Sequence, residues 1–267
     1  MSIEIERIAA PSPEDFEREY VMRSRPVIIT GIVDRWRASS TWSLAYLRER
    51  IGHRRVPTTV LRDGVKVDKR EMLVAEVLDH TEHPRGPERY YIADIYMSRV
   101  PELLADVEDA PYFGDFIRES FQRFRVVFIG HQSTTSLHHH VSNQALSCQV
   151  VGKKRFLLYH PSQTRYLYPG LKNFSDIDPL NPDLKKFPKF ERARPLDLTL
   201  NAGEMLFIPT QWWHWVQSDE FGITVLYNYP SPLRTWHFPR PGLESLFMHA
   251  YLKWRYPYIH GPGKYFH

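Results

Sequence analysis

The sequence predicts a mainly β protein, a barrel or sandwich of short strands flanked by α-helices at both ends. Two observations carry that expectation. From Phe124 onward, short apolar and β-branched runs recur, each separated from the next by Gly, Pro or polar turn residues. Before Phe124 and after Pro241 several stretches instead place their apolar residues at helical spacing, the first of them behind a Ser12 cap.

In order, Ser12-Pro13-Glu14-Asp15 reads as a helix start: Ser12 caps, Pro13 suits the first helical position, and Asp15 reaches back to the cap. That helix carries Phe16, Tyr20 and Val21 and stops near Arg25-Pro26. Pro26-Val27-Ile28-Ile29-Thr30-Gly31 is β-branched and bounded by Pro and Gly, hence a buried strand. Ser43 to Gly52 is a second helix, with Gly52 as its stop. Val56 to Leu61 and Arg89 to Ile92 read as strands, a helix lies between them around Glu71 to Leu78, and Pro101 to Val107 is a short helix. The second half supplies strands at Arg125–Gly130, Leu146–Val151, Arg155–Tyr159, Leu196–Leu200, Met205–Ile208 and Ile223–Tyr229. The Pro-rich stretch Leu171 to Arg194 is expected to be an ordered insertion packed through Phe174, Leu180, Phe187 and Phe190. Leu243, Leu246, Phe247, Ala250, Tyr251 and Trp254 predict a C-terminal helix that covers the barrel or forms a homodimer contact. The expected organisation is therefore one domain over 1–240 and a helical tail over 241–267.

Composition bounds the function classes. The chain has 267 residues, 42% hydrophobic and 25% charged, as expected of a globular protein with a sizeable core. Its single cysteine excludes an intrachain disulfide framework and a Cys-rich zinc module. The N-terminus lacks the basic start and apolar run of a signal peptide, and no apolar run approaches the ~20 residues that span a bilayer. A cytoplasmic protein is expected. The formal charge of +4 is explained by a solvated Arg-rich surface without invoking a polyanionic partner.

The chemistry lies in two stretches, Ser133-Thr134-Thr135-Ser136-Leu137-His138-His139-His140 and Glu204-Met205-Leu206-Phe207-Ile208-Pro209-Thr210-Gln211-Trp212-Trp213-His214. On an extended strand His138 and His140 point to one side and His139 to the other. Imidazole is the commonest metal-binding side chain. Alone, a triple His is better read as a surface loop or polar turn than as a metal site, and His214 as a hydrogen-bonded core residue. Together, in a β-rich region, they predict a metal held by His138, His140 and His214 at the mouth of a barrel. Lys154 alternates with Phe156 and Leu158, which places a lone ammonium on an apolar face, where it needs an anion. Trp212, Trp213 and Trp215 are expected to pack the barrel mouth.

On these residues, and on Gly152-Lys153-Lys154-Arg155, Asn181-Pro182-Asp183-Leu184, Lys189-Phe190, Ala202 to Pro209 and Pro26 to Gly31, the chain resembles the JmjC-type, cupin-fold oxygenases that use Fe(II) and 2-oxoglutarate. The likeness covers most of the chain. It extends to the hydroxylases acting on a modified tRNA guanosine and on an asparagine of hypoxia-inducible factor. It implies a double-stranded β-helix, the cupin or jelly-roll barrel, and O2-dependent oxidation of a substrate C–H bond. It also implies 2-oxoglutarate on Lys154, Thr135, Tyr91 and Asn228. Gln144 stands where the family has an Asn.

One departure matters. The family's motif is His-x-Asp with a distal His; here His140 stands at the carboxylate position. An ungapped alignment from Gly152 would make His139 the ligand and put Val141 in the Asp position; the gapped one also brings Thr135-x-Leu137-His138 into place. Three functions are therefore weighed: a 2-oxoglutarate-dependent oxygenase; a three-His centre using O2 with electrons from the substrate, whose carboxylate Lys154 would bind; and an inactive cupin shell that binds a peptide or RNA. A peptide, an amino acid, a natural-product intermediate and RNA all remain substrate classes.

Overall fold

A computed structural model describes residues 5–63, 65–112, 125–170, 173–238, 242, 243, 246 and 247. The chain opens with β1 (Arg7–Ala9), which pairs in parallel with β2 (Val27–Thr30). Between them lies α1 (Pro13–Phe16), continued by a wider helical turn over Glu17–Val21. Ser12 caps α1 by accepting the Asp15 backbone N–H, so one orphan donor of the first turn is satisfied. α2 (Arg37–Thr41) and α3 (Leu44–Ile51) follow, the latter capped by the Ser43 hydroxyl. Gly52 ends α3 at φ −54°, in the right-handed region. The expected left-handed glycine stop is therefore not used; the Gly52 N–H still reaches the Arg48 carbonyl.

β3 (Arg55–Arg62) and β4 (Val65–Leu73) form a hairpin, α4 (Val74–Glu82) follows, and β5 (Glu88–Tyr96) returns beside β3. Here the helix expected from Glu71 is corrected: Glu71 to Leu73 are strand, and the helix starts at Val74. Its N-terminus is set by the Glu76 carboxylate, which accepts the Leu73 N–H. Pro101–Asp106 is a 3-10 turn.

The second half contains β6 (Arg125–Gly130), β7 (Ser133–His138), β8 (Asn143–Val151), β9 (Lys154–Tyr159), β10 (Leu196–Leu200), β11 (Met205–Ile208), β12 (Trp213–Ser218) and β13 (Gly222–Pro230). The strands make a nine-stranded sheet, β1-β2-β11-β8-β13-β6-β5-β3-β4, and a four-stranded sheet, β10-β9-β12-β7. All pairings after β1–β2 are antiparallel. The two facing sheets are those of a jelly-roll barrel, as the sequence predicts.

Three apolar clusters hold this arrangement. Ile28, Ala145, Phe156, Leu158, Leu198, Leu200, Leu206 and Ile208 meet between the sheets. Each fully buried Leu or Ile there contributes roughly 2 kcal/mol. The N-terminal helices cover the outer face of the large sheet through Phe16, Trp36, Trp42, Leu47 and Phe207. On the outer face of the small sheet, Leu157, Tyr159, Trp213 and Trp215 are covered by Leu167, Ile177 and Phe190. Over residues 173–194 the insertion packs on the small sheet, but not through all four residues expected. Phe190 is buried and Phe187 packs on the cluster, whereas Phe174 is 44% and Leu180 38% exposed.

No helix among the described residues is long and apolar enough to cross a membrane. Residues 242–243 and 246–247 are helical; the rest of the C-terminal helix expected over 241–267 lies outside the described residues.

Candidate metal centre

The site is built on the inner face of the small sheet, near one end. His214 on β12 stands directly opposite His138 on β7, and opposite Leu158 on β9. Residues paired across antiparallel strands share a face. The inner face therefore carries His138, His214, Leu158 and, two residues on, Val216 and Phe156. Lys154 ends the same row of alternating residues on β9.

Thr135 reaches this face because of an irregularity. Val216 pairs with Thr135 while His214 pairs with His138, so Trp215 alone on β12 stands against Ser136 and Leu137 on β7. Strict alternation would put Thr135 and His138 on opposite faces. The bulge over Ser136-Leu137 returns both to the inside.

β7 ends at His138, and His140 lies just beyond it. The loop is fixed to the turn after β11 by the Gln211 N–H, which donates to the His140 carbonyl at 3.0 Å. Gln211 itself sits at φ +64°. The result is a cluster of His138, His140 and His214 whose potential ligand atoms all lie within 4.8 Å of one another. Ring centroids are 4.1 Å apart for His138–His214, 4.9 Å for His140–His214 and 5.7 Å for His138–His140.

Two of the imidazoles are oriented by the backbone. Nδ1 of His138 lies 2.8 Å from the Ser136 carbonyl, and Nδ1 of His214 lies 3.0 Å from the Trp212 carbonyl. A carbonyl can only accept, so Nδ1 carries the proton and Nε2 keeps its lone pair for a metal. Burial lowers the pKa of all three rings, that of His140 to about 3, so the cluster is held in the neutral form that binds metals.

His139 faces the other way: it is buried, and its ring lies 4.5 Å from that of Trp213 in the outer cluster. The geometry thus groups His138, His140 and His214 and excludes His139. Trp212 joins the inter-sheet core, while Trp213 and Trp215 pack on the opposite side of the small sheet.

Deeper between the sheets, Lys154 is 6% exposed. Its Nζ donates to the Tyr91 hydroxyl at 3.5 Å and lies 5.3 Å from the Phe128 ring centroid. No described carboxylate pairs with it, and burial lowers its pKa to about 7. Asn228 pairs with Ala145 and so shares the inner face; its Oδ1 is buried without a hydrogen-bond partner among the described residues. Lys154 and Tyr91 therefore meet directly, with Thr135 on the facing strand row and Asn228 on the opposite sheet. A buried ammonium lacking an acid, and an orphaned amide oxygen, are polar groups that a bound ligand would satisfy. Gln144 is buried at the start of β8.

Three features of the site escaped the sequence reading. Gln149 and Thr224 form a buried pair, Thr224 Oγ1 donating to Gln149 Oε1 at 2.9 Å. Gln149 interrupts an apolar strand, a signal that could have revealed it. Phe128 beside Lys154 carries no local signal, nor does Phe174 against His138 at a centroid distance of 5.2 Å.

Comparison with known proteins gives the following. Residues 13–235 match a family described as a cupin-like domain. Lysine-specific demethylase 8 of Danio rerio is 35% identical over 239 residues, covering 83% of this chain and 57% of that protein. The bifunctional peptidase and (3S)-lysyl hydroxylase JMJD7 of Homo sapiens is 30% identical, with coverage of 82% and 81%. The tRNA wybutosine-synthesizing protein 5 of Homo sapiens is 31% identical, with coverage of 83% and 76%. The chain thus spans little more than half of the first of these proteins and about four-fifths of the second.

Proposed function

The chain belongs to the cupin-like domain family, and on that premise we propose that it is a metal-dependent oxygenase using Fe(II) and 2-oxoglutarate to oxidise a substrate C–H bond. One observation carries the reading: three imidazoles converge at the mouth of the same inner face that ends in a lone buried lysine.

The donor set suits a divalent transition metal. Three neutral imidazoles bind iron, copper or zinc and leave coordination positions open. When bound, Fe(II) with 2-oxoglutarate and O2 supplies the oxidising power for hydroxylation of an unactivated C–H bond. The protein's own part is to hold and orient. Nε2 of His138 and His214 and a ring nitrogen of His140 would hold the metal. The Lys154 ammonium, supported by the Tyr91 hydroxyl, would neutralise the far carboxylate of 2-oxoglutarate. Thr135 and Asn228 would add hydrogen bonds along the same face. The apolar walls of Phe128, Phe156 and Leu158 keep water from competing for that carboxylate, which strengthens the ion pair.

The chain departs from the family's His-x-Asp pattern at His140. Replacing a carboxylate by imidazole makes the centre one negative charge poorer, so an anionic co-substrate is held more strongly by the metal. The same observation favours a second reading, in which the three-His metal uses O2 with electrons from the substrate and Lys154 binds a substrate carboxylate. Peptide, amino-acid, natural-product and RNA substrates are each compatible with either chemistry.

Anaerobic titration separates the two. Fe(II) followed by 2-oxoglutarate should produce a visible metal-to-ligand charge-transfer band in the first case. Iron uptake without such a band would select the second, and a protein that takes up no metal would leave only a binding shell.

A further inference from the structure

The geometry points to Phe174 as a positioning residue of the metal centre, holding the His138 imidazole in its ligating orientation. This rests on the metal-centre reading given above. Phe174 belongs to the insertion, remote in sequence from β7, yet its ring lies nearly parallel to that of His138, at 5.2 Å between centroids and 16° between planes. The contact is built. His138 and Phe174 form an isolated antiparallel bridge. Around it the Ser175 N–H donates to the Leu137 carbonyl at 2.8 Å, and the His139 N–H to the Asn173 carbonyl at 3.1 Å. Asn173, held at φ +58°, also donates its side-chain amide to the His139 carbonyl. A second bridge, Pro169 to Ser175, and the Gly170 N–H on the Phe174 carbonyl close the loop behind. Segment 173–175 is thus an added strand clipped to the end of β7, where the main ladder has run out.

The reason such a clip is needed lies in the local geometry. His138 sits at the last position of β7, directly after a bulge, where the sheet no longer restrains its side chain. The hydrogen bond from Nδ1 to the Ser136 carbonyl fixes the ring edge but leaves rotation about that bond free. A ring stacked on one face, with His214 tilted at 56° on another side, removes that freedom. Outer partners that orient a metal-bound His are typically worth 10- to 100-fold in metal affinity. Phe174 is 44% exposed and belongs to none of the three apolar clusters, so fold stability does not require a phenyl ring there.

The test is a Co(II) titration of the full chain, freed of metal, read through the visible d–d absorption, with Phe174→Ala and Phe174→Tyr alongside the wild type. Thermal midpoints of the metal-free proteins serve as the fold control. Phe174→Ala should keep the wild-type midpoint, bind Co(II) about 10- to 100-fold more weakly, and show an altered d–d spectrum. Phe174→Tyr, which keeps the stacked ring, should restore both affinity and spectrum. Wild-type affinity and spectrum in Phe174→Ala would overturn the proposal while leaving the metal centre intact, as would equal losses in the Ala and Tyr variants. A wild-type protein that binds no Co(II) would instead remove the metal-centre reading on which the proposal stands.

Discussion

Lys154 offers a sharp test of how the barrel interior is used. In the unfolded chain its ammonium titrates at 10.5; between the sheets burial lowers this to about 7. The sign follows from proton counts. Between those two values the unfolded chain binds the proton and the folded chain does not, so stability must rise with pH across that window. Below about pH 7 both states are charged and the full cost of burying the ammonium applies. Each pH unit between the two values is worth about 1.4 kcal/mol, so this cost is about 5 kcal/mol at low pH, falls to about 4 at pH 7 and to about 2 at pH 9. The perturbation is Lys154→Met, which keeps a long unbranched side chain and discards the charge. Urea unfolding of metal-free protein should show the variant more stable than wild type by about 4 kcal/mol at pH 7, with a gap about 2 kcal/mol smaller at pH 9. Taking the difference between the two proteins cancels every other titrating group. Loaded with iron, the wild type should gain thermal stability from 2-oxoglutarate and the variant should not. A gap that is constant from pH 7 to pH 9, or a variant less stable than wild type at pH 7, would refute the assignment of Lys154 as a buried, acid-free cation awaiting an anion.

Four other outcomes are expected. His140→Ala and His214→Ala should abolish tight Co(II) or Fe(II) uptake in equilibrium dialysis, whereas His139→Ala should retain it, because that ring packs on Trp213 and not on the cluster. A divalent metal at 100 times its dissociation constant should stabilise the wild type by about 2.7 kcal/mol in thermal melts, and a chelator should reverse this. Gly152→Ala should destabilise the fold by more than about 1 kcal/mol in urea unfolding, since Gly152 sits at φ +71° and a Cβ there would stand 2.2 Å from the Phe221 carbonyl oxygen. Leu206→Ala should cost about 3 kcal/mol in the same assay, because its side chain is fully buried between the sheets.

Local sequence determined much of the frame. Arg125–Gly130, Leu196–Leu200 and Met205–Ile208 are strands with the bounds their composition predicts, because each is a short apolar or alternating run closed by turn residues. Ser12 and Ser43 cap their helices for the same local reason: a side-chain oxygen beside free backbone donors. The two His-bearing stretches were legible only as a pair, since each alone has an ordinary structural reading and together, in a β-rich region, they point to one metal. β4 was not legible. Val65 to Leu73 is rich in Lys, Arg and Glu because it is the outermost strand, and its extended form depends on pairing with β3. β12 was hidden in the same way: Trp213-His214-Trp215 reads as mouth packing until β9 and β7 are placed on either side.

The site itself divides along that line. The residue types that could bind a metal and a dicarboxylate, His138, His140, His214 and Lys154, are properties of the chain alone. Tertiary structure alone decided that a bulge over Ser136-Leu137 turns Thr135 inward beside His138. It alone decided that Gln211 ties down His140, and that Phe174 returns from the insertion to stack on His138. Register, bulges and long-range ring contacts depend on what lies across the sheet, and periodicity along one strand carries no information about its partner.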